Sequence, residues 1–232
     1  MTCGYRDVRL VTVDVGGTLA AANGNSLTAM LCALSPLPPA ETRRWLRQTL
    51  HVAAALTPDV VRRVCAAISI PVTAFPVDYR SPVMTAVDGA RDALARIARY
   101  APVVTLANVV SLDFEEAWLQ SHFGDTVTAN YPSCRIGFAK PDPETFRFVA
   151  RQHDIPMDAL LHIGDDWACD VEGALAVGAR AIWISNGRSQ PSTAIVDHER
   201  LEISNNIVEA ASIFVDSASR PPSVPVLECA YE

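Results

Sequence analysis

The amino-acid sequence predicts an α/β protein with a Rossmann-like parallel β-sheet core and helices on both faces of the sheet. Short runs of β-branched and apolar residues alternate with segments of helical periodicity along most of the 232 residues, a pattern typical of parallel sheets. Residues 20–83 have helical patterns and no clear strand. We therefore expect a small helical cap inserted after the first strand.

The first strand is predicted at residues 8–13, a β-branched run of the kind that is buried on both faces of a sheet. In the cap, residues 39–51 have the pattern of an arginine-rich amphipathic helix. A second cap helix over residues 60–68 follows Thr57-Pro58-Asp59, which supplies an N-cap residue, a first-turn proline and an acidic first turn.

After residue 84 the predicted elements alternate regularly, which defines the proposed domains. The predicted helices are residues 85–99, 113–123, 143–153 and 171–177. The predicted strands are residues 102–107, 127–131, 160–163 and 179–184, and we expect the last of these to be the final strand. We predict a loop at 185–200, a core domain of residues 1–19 and 84–215, a cap of residues 20–83, and a flexible tail at 216–232.

Composition and charge exclude several classes of partner. Half of the residues are apolar and the net charge is −7, which suits a soluble globular protein and argues against nucleic acid as a partner. The uncharged stretch 15–40 is long enough to cross a membrane, but its glycines and prolines make a spanning helix improbable. The six scattered cysteines show no zinc pattern, and we expect a reducing, cytoplasmic location.

Polar side chains follow the predicted strands at their carboxyl ends, where parallel sheets bind ligands. Asp14 precedes a Gly-Gly turn after the first strand, and a cluster of aspartates follows the strand at 160–163. The chain has 19 basic residues, of which Lys140 is the only lysine. The candidate site residues are Asp14, Gly16, Gly17, Thr105, Ala107, Asn108, Lys140, Asp165, Asp166 and Asp170.

These residue types together indicate phosphate chemistry. Several carboxylates at one edge of a sheet repel one another unless a divalent cation is present, and Mg²⁺ prefers such ligands together with phosphate oxygens. A nearby lysine can neutralise the remaining negative charge of a substrate. An aspartate that faces a metal-bound phosphoryl group can attack it and form an aspartyl-phosphate, which water then hydrolyses.

From residue 8 to residue 185 the chain resembles the haloacid dehalogenase (HAD) superfamily, in its phosphatase branch with a helical cap after the first strand. The resemblance is carried by VDVGGTL at residues 13–19, by Asn108, by KPDPETF at 140–146, and by GDDWACDVEGALAVGA at 164–179. The lysine motif followed some twenty residues later by the aspartate cluster makes the combination specific.

The resemblance implies a role for each candidate residue. Asp14 would be the nucleophile and a Mg²⁺ ligand, and Lys140 would hold the phosphoryl group. Asp165 would be a further ligand of the metal, as would the carbonyl oxygen of Gly16. Either Asp166 or Asp170 would complete the metal site, with the family pattern favouring Asp170, while the other caps the following helix. The phosphate-binding set would comprise Gly16, Gly17, Thr105, Ala107, Asn108 and Lys140.

Two departures from the family pattern bear on the reaction. Family phosphatases usually have an aspartate two residues after the nucleophile, which protonates the leaving oxygen and activates water, and here that position is Gly16. General acid–base catalysis of this kind contributes about 10²–10⁴-fold in rate. In addition, Ala107 occupies the position of the second-motif hydroxyl, and Thr105 could replace that hydroxyl only if the strand bends.

Two hypotheses about function follow. The first is a Mg²⁺-dependent phosphohydrolase acting on a small phosphorylated metabolite whose leaving group needs little protonation, or whose proton comes from the cap or the substrate. The second is a catalytically impaired relative that binds a phosphorylated ligand or a protein partner. A sugar-kinase phosphate loop would leave Lys140 and the aspartates unexplained. Arg43, Arg44, Arg47 and His51 of the cap are candidates for substrate selection, but we expect the arginines to form a solvated helix face. We expect His51 and His162 to be structural.

Overall fold

The computed structural model describes residues 5–191 and 199–219. Its strands are β1 Leu10–Val13, β2 Ala20–Asn23, β3 Val83–Ala86, β4 Val103–Ala107, β5 Val127–Pro132, β6 Leu160–Gly164, β7 Arg180–Ile184 and β8 Leu201–Ser204. Its α-helices are α1 Leu27–Leu34, α2 Pro39–Thr49, α3 Pro58–Ala67, α4 Ala90–Ile97, α5 Glu116–Phe123, α6 Ser133–Ile136, α7 Pro143–Gln152, α8 Gly173–Ala176 and α9 Ile207–Ser219. Short 3₁₀ turns cover Val72–Ala74 and Met157–Ala159, and a wide π-helical turn covers Trp167–Glu172.

The predicted α/β architecture is confirmed by a sheet of six parallel strands in the order β5-β4-β1-β6-β7-β8. Strand β1 lies at the centre, with β4 on one side and β6 on the other. The register pairs Val13 with Thr105 and with Ile163, so these three strands end at nearly the same level. The residues that follow them therefore meet at one edge of the sheet.

Helices cover both faces of the sheet because the side chains of β1 alternate between two cores. Leu10 packs in the core that also contains Phe146 of α7. Val11 and Val13 point to the opposite face and share a core with Leu94 of α4 and Phe214 of α9. Burial on both faces explains why the strands read as continuous apolar runs.

The insertion after β1 is helical and has a core of its own. Leu31, Leu46 and Val64 come from its three helices, and Val110 joins them from the loop after β4. Helix α3 begins at Pro58 as the sequence predicts, because the Thr57 hydroxyl accepts a hydrogen bond of 3.3 Å from the backbone N–H of Val60. The cap therefore packs onto the rim where the candidate site residues lie.

The expectation that residues 20–83 contain no strand is wrong at the start of this segment. Strand β2 pairs antiparallel with β3, and the two form a separate hairpin at the base of the cap. Three of the four residues in β2 are alanines, which are depleted in strands, so the local pattern gives no strand signal. The pairing partner lies about sixty residues away and is brought close only by the folded cap.

The expected final strand at 179–184 is not the last one, because β8 pairs parallel with β7 and α9 follows it. With four residues at the edge of the sheet, β8 is too short to show a clear period. Two helices also begin elsewhere than expected. The segment predicted as a helix from residue 85 starts as β3 and becomes helical at Ala90, and the helix predicted at 171–177 begins as the π-helical turn at Trp167.

The precise limits of core and cap stay a prediction, since the hairpin lies on both sides of the proposed border. Of the tail predicted at 216–232, residues 216–219 belong to α9, and residues 220–232 lie outside the described part of the chain. Among the described helices, none combines the length and the apolar character needed to cross a bilayer.

Candidate active site

Three carboxylates and one ammonium group meet at the carboxyl edge of the sheet. Oxygen atoms of Asp14, Asp165 and Asp170 all lie within 4.8 Å of one another. The Lys140 Nζ atom is 2.7 Å from Asp14 Oδ1 and 2.7 Å from Asp170 Oδ1, and it donates a third hydrogen bond of 2.7 Å to the Leu106 carbonyl. Lys140 is only 1% exposed, so all three of its N–H donors are used inside the protein.

The Asn108 side chain holds the backbone of Lys140 in place. Its amide nitrogen donates to the Lys140 carbonyl at 2.7 Å, and its amide oxygen accepts from the Lys140 N–H at 2.8 Å. This pair of bonds joins the end of β4 to the loop before α7. Asn108 therefore positions the lysine, and both polar atoms of its side chain are engaged with backbone in this structure.

The pKa values within the cluster are set by burial and by the charges of the neighbouring groups. Burial raises the pKa of Asp14 to about 7, although Lys140 acts in the opposite direction. For Asp170, burial by itself raises the pKa, but Lys140 and His162 together hold it below its usual value. Burial likewise lowers the pKa of Lys140, yet Asp14 and Asp170 outweigh this and raise it. Lys140 and Arg188, which pairs with Asp165 at 3.0 Å, leave one of the three carboxylates without a compensating charge, so the cluster favours additional positive charge.

The residues present fit a hard divalent cation. The donor set consists of carboxylate oxygens from two strand ends and one helical turn, which is the chemistry that Mg²⁺ prefers. A bound cation would favour the ionised form of Asp14, because an opposite charge lowers the pKa of a carboxylate.

Asp170 is oriented by a buried polar chain. Its Oδ1 is 3.1 Å from His162 Nε2, and Thr12 Oγ1 is 2.8 Å from His162 Nδ1. An ionised carboxylate can only accept, so Nε2 carries the proton and Nδ1 accepts from the Thr12 hydroxyl. The second oxygen, Oδ2, accepts from the Asp166 N–H at 2.8 Å. Burial is the main cause that lowers the pKa of His162, and the Lys140 charge lowers it further. Both effects favour a neutral imidazole ring.

Asp166 and Asp170 have different positions although they are four residues apart. The Asp166 carboxylate accepts from the Cys169 N–H at 2.9 Å and so caps the π-helical turn. It borders the cavity but does not belong to the group of three close carboxylates. Asp170 lies on the buried side of the same turn and joins that group. Of the two, Asp170 therefore has the geometry of a metal ligand.

The two glycines after Asp14 are present for different reasons. Gly17 has φ +75°, and a Cβ added there would lie 2.6 Å from Asp165 Oδ2. At Gly164 an added Cβ would lie 2.4 Å from Asp170, so each of these glycines allows a carboxylate to pack against backbone. A Cβ added at Gly16 has no atom within 4 Å and no left-handed φ. The backbone therefore has room for a side chain at the position where family phosphatases have their acid.

Thr105 does not take the place of the hydroxyl missing at Ala107. Its Oγ1 donates at 2.7 Å to Asn130 Oδ1 in the neighbouring strand. Thr105 and Ala107 line a second cavity, which lies beside the carboxylate cluster. Asn108 borders this second cavity and also the cavity above the cluster.

A cavity of about 230 Å³ lies above the cluster, between core and cap. Four cap residues line it, namely Thr28, Arg43, Arg47 and His51. Arg44, by contrast, is outside this lining and pairs with Glu41 at 3.7 Å on the surface. The expectation of a solvated helix face therefore fits Arg44, whereas Arg43 and Arg47 line the cavity and have no carboxylate partner within the described part of the chain.

Sequence reasoning missed two residues that support the site. His162 is indeed buried, but it also orients Asp170. Arg188 Nη2 donates to Asp165 Oδ2 at 3.0 Å and to the Asp165 carbonyl at 2.7 Å. The sequence did contain a signal for His162, because this histidine lies inside a buried parallel strand and eight residues before an aspartate. Arg188 lies in a polar loop that shows no pattern, so the sequence offered no signal for it.

Comparisons with known proteins agree with this fold. The HAD-hydrolase-like family model matches residues 137–210, which include Lys140, Asp165 and Asp170. Phosphoserine phosphatase of Thermus thermophilus is 34% identical over 55 residues, which is 24% of this chain and 22% of that protein. The curated relatives are matched over less than a third of their own lengths.

Solved structures extend the similarity to most of the chain. A 2-haloacid dehalogenase from Pseudomonas syringae pv. tomato superimposes with a TM-score of 0.62 at 18% identity, covering 90% of this chain and 99% of that one. A HAD family enzyme from Bacteroides thetaiotaomicron, solved with magnesium and inorganic phosphate, has a TM-score of 0.52 at 17% identity, covering 78% and 96%. At these identities the likeness concerns the fold.

The parallel sheet and the helical insertion after β1 give the chain the same fold as these haloacid dehalogenase-type structures, and the HAD-hydrolase-like family model matches the segment 137–210 that contains part of the site.

We predict that Gly17→Ala and Gly16→Ala have opposite consequences. Alanine at position 17 must adopt a left-handed φ and displace Asp165, so we expect a loss of about 1–3 kcal/mol in the free energy of unfolding and weaker Mg²⁺ binding. Alanine at position 16 should change stability by less than about 0.5 kcal/mol. Urea unfolding and calorimetric Mg²⁺ titration measure both effects. Equal behaviour of the two variants would contradict the contrast.

We also predict energetic coupling between His162 and Asp170. His162→Leu leaves the buried Asp170 carboxylate one donor short, which should cost about 1–3 kcal/mol of unfolding free energy. In an Asp170→Asn background the same substitution should cost clearly less, because the carboxylate that required the donor is gone. Urea unfolding of the two single variants and the double variant gives this result, and strictly additive effects would refute the proposed chain.

Proposed function

We propose that this protein is a Mg²⁺-dependent phosphohydrolase that acts on a small phosphorylated compound through an aspartyl-phosphate on Asp14. The observation that carries the proposal is Lys140, buried with a 2.7 Å contact to Asp14 and another to Asp170, inside a cluster of three carboxylates. Such a cluster is unfavourable without a further cation, and Mg²⁺ is the cation that carboxylates hold together with the oxygens of a phosphoryl group.

Asp14, Asp165 and Asp170 would hold the metal, together with the Gly16 carbonyl. When bound, Mg²⁺ supplies positive charge to the oxygens of the phosphoryl group and lowers the barrier to nucleophilic attack. Lys140 keeps the Asp14 carboxylate oriented through Oδ1, while Oδ2 has no hydrogen-bond partner among the described residues. That second oxygen is the one we assign to attack on phosphorus.

The reaction then proceeds in two steps. In the first, an Asp14 oxygen forms a bond to phosphorus while the bond from phosphorus to the leaving oxygen breaks, and the leaving group takes that electron pair. In the second, water attacks the phosphorus of the aspartyl-phosphate, which restores Asp14 and releases phosphate and a proton. The cap cations Arg43 and Arg47 attract the anionic substrate into the cavity and add to the charge of Lys140.

Two of the similar proteins support hydrolysis of a phosphate, although the structure with a TM-score of 0.62 is a haloacid dehalogenase. The Thermus relative is a phosphoserine phosphatase, and one solved relative holds magnesium and inorganic phosphate. Dehalogenases of the superfamily also lack the second aspartate, but their reaction does not require a metal-binding acid cluster such as Asp165 with Asp170. The alternative of a catalytically impaired binding protein is favoured by Gly16, since no aspartate is present there to protonate a leaving group.

We predict Mg²⁺-dependent release of phosphate from acetyl phosphate, because its leaving group departs as a carboxylate without needing a proton. Asp14→Asn should lower the rate by roughly 10³-fold or more, as expected for loss of a nucleophile. Phosphate release is measured with Mg²⁺ and with chelator for both proteins. Thermal stabilisation by acetyl phosphate without any turnover above the Asp14→Asn variant would favour the binding protein instead.

We further predict that Gly16→Asp raises the rate on alkyl phosphates. The added side chain enters open space and in its carboxylic acid form can protonate the departing alkoxide, an effect of about 10²–10⁴-fold, whereas acetyl phosphate should gain little. Initial rates on glycerol 3-phosphate and on acetyl phosphate, for wild type and variant, measure the difference. An unchanged rate on glycerol 3-phosphate would show that the missing acid is not what limits this protein.

A further inference from the structure

A second cavity of about 320 Å³ lies beside the candidate active site and has a different character. Its walls are mainly apolar and come from the hairpin, from the loop after β4 and from α5, with Met84, Val110, Phe114, Trp118 and Leu119 among them. We call it the apolar chamber. A cavity of about 150 Å³ in another protein admits benzene, so this chamber is large enough for an aromatic ring.

The apolar chamber adjoins the carboxylate cavity. Gly16, Thr28, His51 and Asn108 border both spaces. Of these, Gly16 is also the residue two positions after Asp14 where a side chain would meet no atom within 4 Å. Because Gly16 borders both cavities and has no side chain, this position leaves the boundary between them free.

We propose that the apolar chamber receives the leaving group of the substrate, which makes the substrate class an aryl or aroyl phosphate. The inference rests on the proposed phosphohydrolase function and deepens it. Two separate observations favour this substrate class. The chamber accommodates a planar apolar group, and a carboxylate or phenolate leaving group needs little protonation, which suits a site with no acidic side chain at position 16.

For an aroyl phosphate the steps balance without a further reactant. Asp14 forms the new bond to phosphorus as the bond from phosphorus to the carboxylate oxygen breaks, and the aromatic carboxylate leaves as an anion with that electron pair. Water then cleaves the aspartyl-phosphate, restores Asp14, and yields phosphate and one proton. No group has to protonate the leaving oxygen.

The hairpin offers two matched variants, one that changes the chamber and one that does not. Ala22 pairs with Met84 across the hairpin, and both line the chamber, whereas Ala21 pairs with Thr85 and belongs to the opposite face. Both alanines are exposed, so each position tolerates a large side chain. Ala22→Trp should fill the chamber, and Ala21→Trp should leave it open.

The test compares benzoyl phosphate with acetyl phosphate, two acyl phosphates whose leaving groups are both carboxylates. Because the ring is buried on binding, kcat/KM should be on the order of tenfold to a hundredfold higher for benzoyl phosphate. Ala22→Trp should abolish that preference and Ala21→Trp should retain it. An equal kcat/KM for the two substrates in wild type, or an equal loss of preference in both variants, would overturn the proposal.

A binding experiment separates this inference from the proposed function. Benzylphosphonate and methylphosphonate contain an uncleaved carbon–phosphorus bond, so their affinities in Mg²⁺ do not depend on turnover. Tighter binding of benzylphosphonate that is lost in Ala22→Trp supports the chamber even if no acyl phosphate is hydrolysed, an outcome that would refute only the phosphohydrolase. Hydrolysis of acetyl phosphate with equal affinity for the two phosphonates would instead refute only the chamber.

Discussion

The structure depends on the burial of one ammonium group between carboxylates. Lys140 is almost fully enclosed, and removing a cation from water is costly unless each donor finds a strong acceptor. Asp14, Asp170 and the Leu106 carbonyl provide those acceptors, while Asn108 and His162 hold the groups that surround them. Even with Arg188 paired to Asp165, one negative charge remains in excess, and this excess makes the rim suitable for a metal cation.

Close packing of the carboxylates requires the backbone to approach them. Gly17 and Gly164 lie where a Cβ would collide with Asp165 or Asp170, so their lack of a side chain serves the geometry of the cluster. Gly16 has no such requirement. It borders both the carboxylate cavity and the apolar chamber, and in the proposed reaction its missing side chain accounts both for the absent acid and for access to the chamber.

Most of the parallel sheet could be predicted because strands buried on both faces must be apolar along their whole length. The elements that were missed are those whose formation depends on distant partners. Strand β2 is largely alanine and is held by β3, and β8 is a short edge strand held by β7. The turn that begins at Trp167 has π-helical geometry, and neither local propensity nor period distinguishes such a turn from the start of an ordinary helix.

The sequence by itself determined the type of fold and the chemical character of the site, since the apolar periods, the lone lysine and the aspartate cluster are local patterns. Only the tertiary structure decided which groups contact each other. It brought Asp170 into the cluster and used Asp166 as a helix cap, engaged Thr105 with Asn130, and turned Arg43 and Arg47 of the cap towards the cavity. These outcomes depend on side-chain directions and on contacts between segments far apart in the chain, and spacing along the sequence does not encode them.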